Sequence, residues 1–282
     1  EQKRFNIFLT NSLEEHHEQS GNLFASYLAN ESKEADRVKK DVPVMVVMGN
    51  PPYAVSSSNK NEWIQNLIAD YKKDLNERKI NLDDDYIKFI RYGQHYIEKN
   101  GEGILAYISN NSFIDGITHR QMRKSLLECF DKIYILDLHG NAKKKETAPD
   151  GSKDENVFDI MQGVSINIFV KKKSKSKKLA DVYHYDLYGK RDFKYSFLDD
   201  NSLKTVKWEK LDYSEPNYFF VKKDFTEIKE YEKAFKVDEL FVISSSGITS
   251  GNDKELVSDK EFEYNNYKYA YKPFIDKNIN YD

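Results

Sequence analysis

The short segment Gly49-Asn50-Pro51-Pro52-Tyr53 contains the residues of this sequence that could do chemistry. A planar nitrogen, such as the exocyclic amine of a base or an amide, is a poor nucleophile because its lone pair is delocalised. Acceptors aimed at its two hydrogens draw electron density back onto it, and the Asn50 side-chain oxygen and the Pro51 carbonyl are such acceptors. Pro51 and Pro52 restrict φ, so both acceptors are held in place before a substrate arrives. With Tyr53 as an aromatic face for the acceptor base, the segment indicates methyl transfer onto a planar nitrogen.

The apolar run 42–48 before this segment predicts a buried strand. Asn and Pro are turn formers, and Pro cannot continue a strand ladder, so the same residues are also typical of an ordinary strand-ending turn. Ligands of open α/β sheets bind outside the carboxyl ends of strands. The position directly after a strand therefore favours the functional interpretation.

The elements that must position the turn alternate along the chain. Strand-like and helix-like segments follow one another from residue 5 to residue 172, which predicts a doubly wound α/β unit with a mixed, mostly parallel sheet. The predicted strands are 5–11, 42–48, 104–109, 132–138 and 164–170, and the predicted helices are 23–40, one that begins after Asp85 and ends at Gly101, and 118–130.

The lysine-rich stretch 171–178 interrupts this pattern and is interpreted as a solvated hairpin or linker, with contact to phosphates as the alternative. Beyond it the chain is rich in Tyr and Phe and alternates in short strand-like pieces, which predicts an α+β segment. We therefore expect a catalytic core over 1–173, incomplete at its N-terminus, and a linker with the start of a target-recognition domain over 174–282.

Composition limits the class of protein. The 282 residues include 32% charged residues and no apolar run near the ~18 residues that a membrane span needs. Cys129 is the one cysteine, which excludes an internal disulfide and a cysteine-built zinc site. No signal peptide is visible, so we expect the protein to lie in the cytoplasm and to have no membrane partner. We also expect no metal site, because methyl transfer does not require a metal. The net charge of −3 does not decide whether the protein binds DNA.

Four segments in the same order carry a resemblance to a known group of enzymes. They are 4–15, the Asn-Pro-Pro-Tyr turn, 156–160 with 163–166, and 271–274. The chain resembles the DNA adenine methyltransferase region of fused restriction-modification enzymes of the type IIG and type ISP group. The resemblance implies a partial Rossmann-like class I methyltransferase core, S-adenosylmethionine as methyl donor, and double-stranded DNA with a flipped adenine as partner. Flipping has a physical cause, because the amine cannot be reached within a stacked base pair.

The resemblance also implies roles for residues that contact the flipped adenine. Asn50, Pro51, Pro52 and Tyr53 match the catalytic motif, and Phe158 lies in the loop that helps to hold the flipped base. Tyr53 and Phe158 are then expected to form two walls of the base pocket. Asn111, which follows the predicted strand 104–109, is expected to line the same pocket.

Three further residues match positions near the cofactor. Asn11 ends the strand whose polar residue lies near the cofactor's adenine ring, and Tyr86 and Phe89 match an aromatic motif that packs near the cofactor. Tyr86 and Phe89 are equally typical of a helix core. The glycine-rich strand-to-helix turn of the family is not found, since Gly101-Glu102-Gly103 lies between a helix and a strand. We therefore expect a part of a longer protein that has upstream nuclease and cofactor-motif regions, with little turnover and no DNA cleavage by this chain alone.

Two alternatives remain open from the residues. Enzymes that methylate a protein glutamine or a guanine of ribosomal RNA resemble this chain in their Asn-Pro-Pro-aromatic turns, and their chemistry is the same. The chain could instead act as a cofactor-free DNA-binding module. The long aromatic segment after residue 178 favours the DNA methyltransferase over a protein or RNA methyltransferase.

Overall fold

The computed structural model describes residues 7–8, 10–15, 26–54, 56–75, 82–174 and 178–240 of this chain. The chain divides into two compact units, Glu1–Lys223 and Asp224–Asp282. The first unit is built on one sheet with the strand order β1-β2-β4-β3-β5-β6. Its strands are β1 (Val46–Gly49), β2 (Gly103–Asn110), β3 (Lys132–His139), β4 (Val164–Lys171), β5 (Asp181–Asp186) and β6 (Glu209–Lys210).

Strand direction in this sheet is mixed. β1 and β2 are parallel, β3 and β5 are parallel, and β4 lies antiparallel between β2 and β3. β6 runs antiparallel to β5. β1, β2, β3 and β5 therefore point one way, while β4 and β6 point the other. The predicted α/β class with a mixed, mostly parallel sheet is confirmed.

Apolar side chains cover both faces of the sheet because successive residues of a strand point to opposite sides. On one face, Ile133 and Ile135 of β3 join a large core with residues of the second, third and fifth helices. On the other face, Leu136 and Leu138 pack with Phe197 of the sixth helix. The helices of the first unit are α1 (Ser26–Asp41), α2 (Glu62–Lys72), α3 (Asp85–Asn100), α4 (Ser112–Asp115), α5 (Arg120–Cys129) and α6 (Arg191–Asp200).

The end of α3 is set by a glycine at the predicted position. Gly101 adopts a left-handed φ of 86°, and its N–H donates to the carbonyls of Ile97 and Glu98. Such a residue ends a helix by satisfying carbonyls that have no helical partner. The predicted helix after Asp85 is therefore confirmed to its last turn.

Two predicted strands near the N-terminus differ from the structure. β1 begins at Val46 rather than at residue 42, because Pro43 has no N–H to donate and pairing with β2 starts at Ile104. The prediction that this strand is buried is wrong: β1 is at the end of the strand order, and Val46 and Met48 are 57% and 77% exposed. Of the predicted strand 5–11, Ile7, Phe8, Thr10 and Asn11 lie outside any strand, and the rest falls outside the described residues.

The sheet continues past the predicted boundary at residue 173. β5 pairs in parallel with β3 along its whole length, from Asp181 to Asp186, and the first compact unit ends at Lys223. The pairing joins residues far apart in sequence, so local composition does not reveal it. In the second unit, the described residues include two short helices, α7 (Ile228–Tyr231) and α8 (Val237–Leu240). The segment 271–274, used for the resemblance, lies outside the described residues.

In the described part of the chain, no helix combines the length and the apolar character that crossing a membrane requires.

Candidate active site

Four parallel strands end at one edge of the sheet and bring their following loops together. The last residues of these strands are Gly49 in β1, Asn110 in β2, His139 in β3 and Asp186 in β5. This edge is where ligands of open α/β sheets bind.

The Asn-Pro-Pro-Tyr turn directly follows β1. Asn50 is exposed and Pro51 is buried. Among the described residues, neither the Asn50 side chain nor the Pro51 carbonyl takes part in a hydrogen bond. Within the described part of the chain, both acceptors are therefore without hydrogen-bond partners.

Tyr53 and Phe158 lie in contact, and their role as two walls of a base pocket stays a prediction. Their ring centroids lie 6.0 Å apart at an interplanar angle of 64°. The Tyr53 hydroxyl is buried and has no hydrogen-bond partner in the described part of the chain. Burial raises the pKa of Tyr53 to about 12, so the side chain is neutral. The contact with Phe158 is therefore made by the Tyr53 ring and not by its hydroxyl.

The loop that carries Phe158 is closed by an asparagine. The Asn156 amide nitrogen donates to the carbonyl of Gly140 at 3.0 Å and to that of Gln162 at 2.7 Å, while its oxygen accepts from the N–H of Phe158 at 2.8 Å. Gly140 has a left-handed φ of 79°, and a Cβ built there would lie 2.4 Å from the Cα of Asn156. Glycine is needed at this close approach of two backbones.

Asn111 lies in the wall of a neighbouring polar cavity of about 220 Å³. Its amide nitrogen donates to Asp137 Oδ1 at 2.9 Å, and its backbone N–H donates to the carbonyl of Gly163 at 3.0 Å. The amide nitrogen is therefore already engaged with a carboxylate. Contact of Asn111 with a base stays a prediction.

The cavity contains a buried histidine between carboxylates, which the sequence reasoning missed. His139 Nδ1 lies 2.9 Å from Glu146 Oε1, and His139 Nε2 lies 2.8 Å from Asp186 Oδ1. Burial lowers the pKa of His139, but the hydrogen bonds to Asp186 and Glu146 and the charge of Asp137 outweigh it and raise the pKa to about 10. His139 is an imidazolium stacked on the Tyr188 ring at a centroid distance of 3.8 Å.

Three residues of this cavity have the spacing that metal ligation requires. Ligand atoms of Asp137, His184 and Asp186 lie within 4.8 Å of one another. Burial raises the pKa of Asp137 and lowers that of His184. The imidazolium of His139 already supplies a cation to Asp186 at 2.8 Å. Two polar residues, Asp137 and His139, at the end of an otherwise apolar strand were the signal for this cluster in the sequence.

The residues predicted at the cofactor lie in different surroundings. The Asn11 amide nitrogen donates to Glu14 Oε1 at 2.8 Å and to Asn59 Oδ1 at 3.0 Å, and its oxygen accepts from the N–H of Leu13. Asn59 in turn donates to Asp85 Oδ1 at 3.1 Å, so Asn11 is linked to the start of α3. All polar atoms of the Asn11 side chain are thus used within the protein.

Tyr86 and Phe89 pack within the helical layer. Tyr86 leaves 1% of its surface exposed, and its hydroxyl lies 3.3 Å from His119 Nε2. Phe89 is half-buried, with its ring centroid 6.4 Å from that of Tyr92. S-adenosylmethionine needs polar groups for its ribose hydroxyls, carboxylate and ammonium. Asn11, Tyr86 and Phe89 do not provide such a set, so their contact with a cofactor stays a prediction.

Comparison with known proteins gives one family and several solved structures. The model of the family described as "Eco57I restriction-modification methylase" matches residues 2–143, half of the chain. No curated protein sequence matches the chain.

The similar structures belong to restriction-modification enzymes. The ATP-dependent type ISP restriction-modification enzyme LlaBIII bound to DNA is 25% identical with a TM-score of 0.73, over 96% of this chain and 19% of that one. The DrdV–DNA complex is 24% identical with a TM-score of 0.68, over 96% of this chain and 28% of that one. A nuclease-deletion mutant of the type ISP enzyme LlaGI with a DNA substrate mimic is 25% identical with a TM-score of 0.60, over 75% of this chain and 18% of that one. This chain thus spans less than a third of each.

Proposed function

Because this chain belongs to the Eco57I restriction-modification methylase family, we propose that it is part of a DNA methyltransferase of a restriction-modification system. In this proposal the acceptor is the exocyclic amine of adenine in a specific DNA site. The methyl donor is S-adenosylmethionine, as in the family that the sequence resembles. Duplex DNA, the cytoplasm as location, and a target-recognition role for the segment after residue 173 are parts of the same proposal.

The observation that carries the proposal is the turn after β1. Asn50 and Pro51 present two acceptors without partners among the described residues, and Tyr53 beside them places a neutral aromatic ring against Phe158 at 6.0 Å. An amine with two hydrogens needs two acceptors, and a base needs an aromatic face. The turn supplies both at the carboxyl edge of the sheet, where ligands bind.

The described residues act on the acceptor side of the reaction. Asn50 Oδ1 and the Pro51 carbonyl each accept one N–H of the adenine amine, which moves electron density toward the nitrogen lone pair. The adenine stacks on the Tyr53 ring, and the Phe158 ring, which contacts Tyr53 edge to face, borders the base. S-adenosylmethionine supplies an electrophilic methyl group when bound, and Asn11, Tyr86 and Phe89 remain its proposed contacts.

Transfer of a labelled methyl group tests this function. The protein at its full natural length is incubated with labelled S-adenosylmethionine and unmodified DNA, and the nucleosides are separated to identify the methylated base. We expect N6-methyladenine, and we expect Asn50→Ala to lower the rate about 100-fold or more, as loss of one positioned polar group does elsewhere. Asn66→Ala, at an exposed position of α2, is the matched control and keeps the wild-type rate.

Each contrary outcome has a distinct meaning. Full activity of Asn50→Ala would show that the turn is not the catalytic group. Parallel incubations replace the DNA with ribosomal RNA or with a release factor. Labelling of ribosomal RNA or of a glutamine in the release factor, with none in DNA, would select the alternative methyltransferase function. DNA binding without any methyl transfer would select the DNA-binding module.

A further inference from the structure

Side chains of the first turns of α6 are bonded to the backbone of the loop that carries Phe158. Four consecutive carbonyls, those of residues 155 to 158, each accept a hydrogen bond from this helix. Lys194 Nζ donates to Glu155 at 2.6 Å, Arg191 Nε to Asn156 at 2.8 Å, Tyr195 Oη to Val157 at 2.6 Å, and an Arg191 terminal nitrogen to Phe158 at 3.1 Å.

The spacing of the three donors explains how one helix reaches the loop. Arg191, Lys194 and Tyr195 are related as i, i+3 and i+4, so they share one face of α6. The loop is irregular, so its carbonyls have no neighbouring strand whose N–H groups could donate to them. Without α6 these carbonyls would be left to water, and the conformation around Phe158 would be one among several.

Lys194 also ties the loop to the end of β3. Its Nζ donates to the carbonyl of Leu138 at 2.6 Å and forms an ion pair of 2.8 Å with Asp154, with both side chains 0% exposed. Asp154 accepts from the N–H of Gly140 at 2.7 Å and from that of Gly189 at 2.8 Å. The end of β3, the middle of the loop between β3 and β4, and the segment before α6 are thereby joined at one buried charge pair.

We propose that Arg191, Lys194 and Tyr195 are positioning residues that hold Phe158 against Tyr53, where the target adenine binds. The inference rests on the proposed function and adds to it a set of residues outside the family match at 2–143. None of the three touches the base; each acts through the backbone of residues 155–158. The segment after residue 173 therefore contributes to the acceptor site, in addition to its proposed part in target recognition.

Tyr195→Phe is the sharpest single change because it removes one hydroxyl and keeps the ring. Tyr213→Phe is the matched control: its hydroxyl donates to the carbonyl of Ala180 at 2.7 Å, a bond of the same kind next to β5. Arg191→Lys is a second variant, which keeps the charge but cannot reach two carbonyls with a planar fork. All are made in the full-length protein.

Three readouts separate positioning from general damage to the fold. Hydrogen exchange of peptides covering 154–162 reports the order of the loop. Steady-state methylation of DNA gives kcat and KM. Fluorescence of 2-aminopurine in place of the target adenine reports base flipping, once the site has been identified by sequencing DNA methylated by the wild type.

With Tyr195→Phe we expect faster exchange at 154–162, kcat lower by about five- to tenfold, and a weaker 2-aminopurine signal, while KM for S-adenosylmethionine is unchanged. Arg191→Lys changes the same quantities, and Tyr213→Phe changes none. Equal behaviour of Tyr195→Phe and Tyr213→Phe in all three readouts would overturn the inference. If the wild type transfers no methyl group to DNA, the proposed function fails, and the exchange comparison still decides for or against α6 as the support of the loop.

Discussion

The ring of Tyr53 meets the ring of Phe158 edge to face, with centroids 6.0 Å apart. The hydroxyl of Tyr53 is buried and bonded to nothing in the described part of the chain, and burial raises its pKa to about 12. The contact between the Asn-Pro-Pro-Tyr turn and the loop after Asn156 is therefore made by aromatic carbon. In the proposed reaction we expect the ring of Tyr53 to act, and not its hydroxyl.

Tyr53→Phe is accordingly expected to keep methylation at the wild-type rate. It should also stabilise the protein by about 1 kcal/mol, because a buried hydroxyl without a partner is removed. Tyr53→Ala removes the stacking surface and should lower kcat/KM by about 10- to 100-fold, the range of one base–aromatic stack. Parallel assays of both variants with labelled methyl donor check this, and equal loss in both would assign a role to the hydroxyl.

Breaking the buried ion pair of Lys194 and Asp154 by removing one partner is expected to destabilise the fold strongly. Lys194→Met leaves the Asp154 charge buried without a cation, which should lower the free energy of unfolding by about 3–5 kcal/mol. Adding Asp154→Asn to that variant removes the second charge and should recover part of the loss. Urea unfolding of the single and double variants measures both steps.

An ion pair on the surface provides the control for the variants of Lys194 and Asp154. Lys210 and Asp181 lie 2.8 Å apart, but the Lys210 side chain is 54% exposed. Exposed pairs contribute little because water screens them. Lys210→Met should leave the unfolding midpoint close to the wild-type value, and a large shift would mean that burial does not set the difference between the pairs.

Stability should fall as the pH rises from neutral because of His139. Its pKa is raised to about 10 in the folded protein, against about 6.5 in the unfolded chain. The stabilisation is fully present below pH ~6.5 and is lost as the pH approaches ~10, with a slope of at most ~1.4 kcal/mol per pH unit. Urea unfolding between pH 6 and pH 10 checks this, and His139→Gln should remove the slope; a wild-type curve flat over that range would contradict the prediction.

Two glycines separate backbone strain from close packing. Gly140 and Gly151 have similar left-handed φ values of 79° and 81°, but a Cβ would meet Asn156 at Gly140 and nothing within 4 Å at Gly151. Gly151→Ala should cost about 1 kcal/mol from φ alone, and Gly140→Ala about 3 kcal/mol with reduced methylation. Thermal unfolding of the two variants gives the comparison, and equal costs would show that the Asn156 contact relaxes freely.

Much of the first unit could be predicted from the sequence because its signals are local. The apolar runs that become β2, β3 and β4 end within two residues of their predicted limits, and α3 ends at Gly101 as predicted. The resemblance predicted that Tyr53 and Phe158 lie at one site, and the structure has their ring centroids 6.0 Å apart. Such a pair can be predicted because Tyr53 follows Asn-Pro-Pro directly and Phe158 lies in a segment that matches the family.

Other features depend on partners far along the chain. β5 joins the sheet through backbone bonds to β3, and such bonds have no side-chain signature. The bonds from Arg191, Lys194 and Tyr195 end on carbonyls, which every residue possesses. The charge of His139 depends on carboxylates at 146 and 186 that only the fold brings near.

The position of β4 has a consequence for the order in which the chain folds. β2 and β3 follow each other in sequence, but they are not neighbours, because β4 lies between them and bonds to both. During synthesis both strands emerge from the ribosome before β4 does, so the centre of the sheet cannot form in sequence order from the N-terminus. Until β4 pairs with them, β2 and β3 each have an unpaired edge. Such an edge exposes N–H and C=O groups to which a chaperone or an aggregating chain can bind.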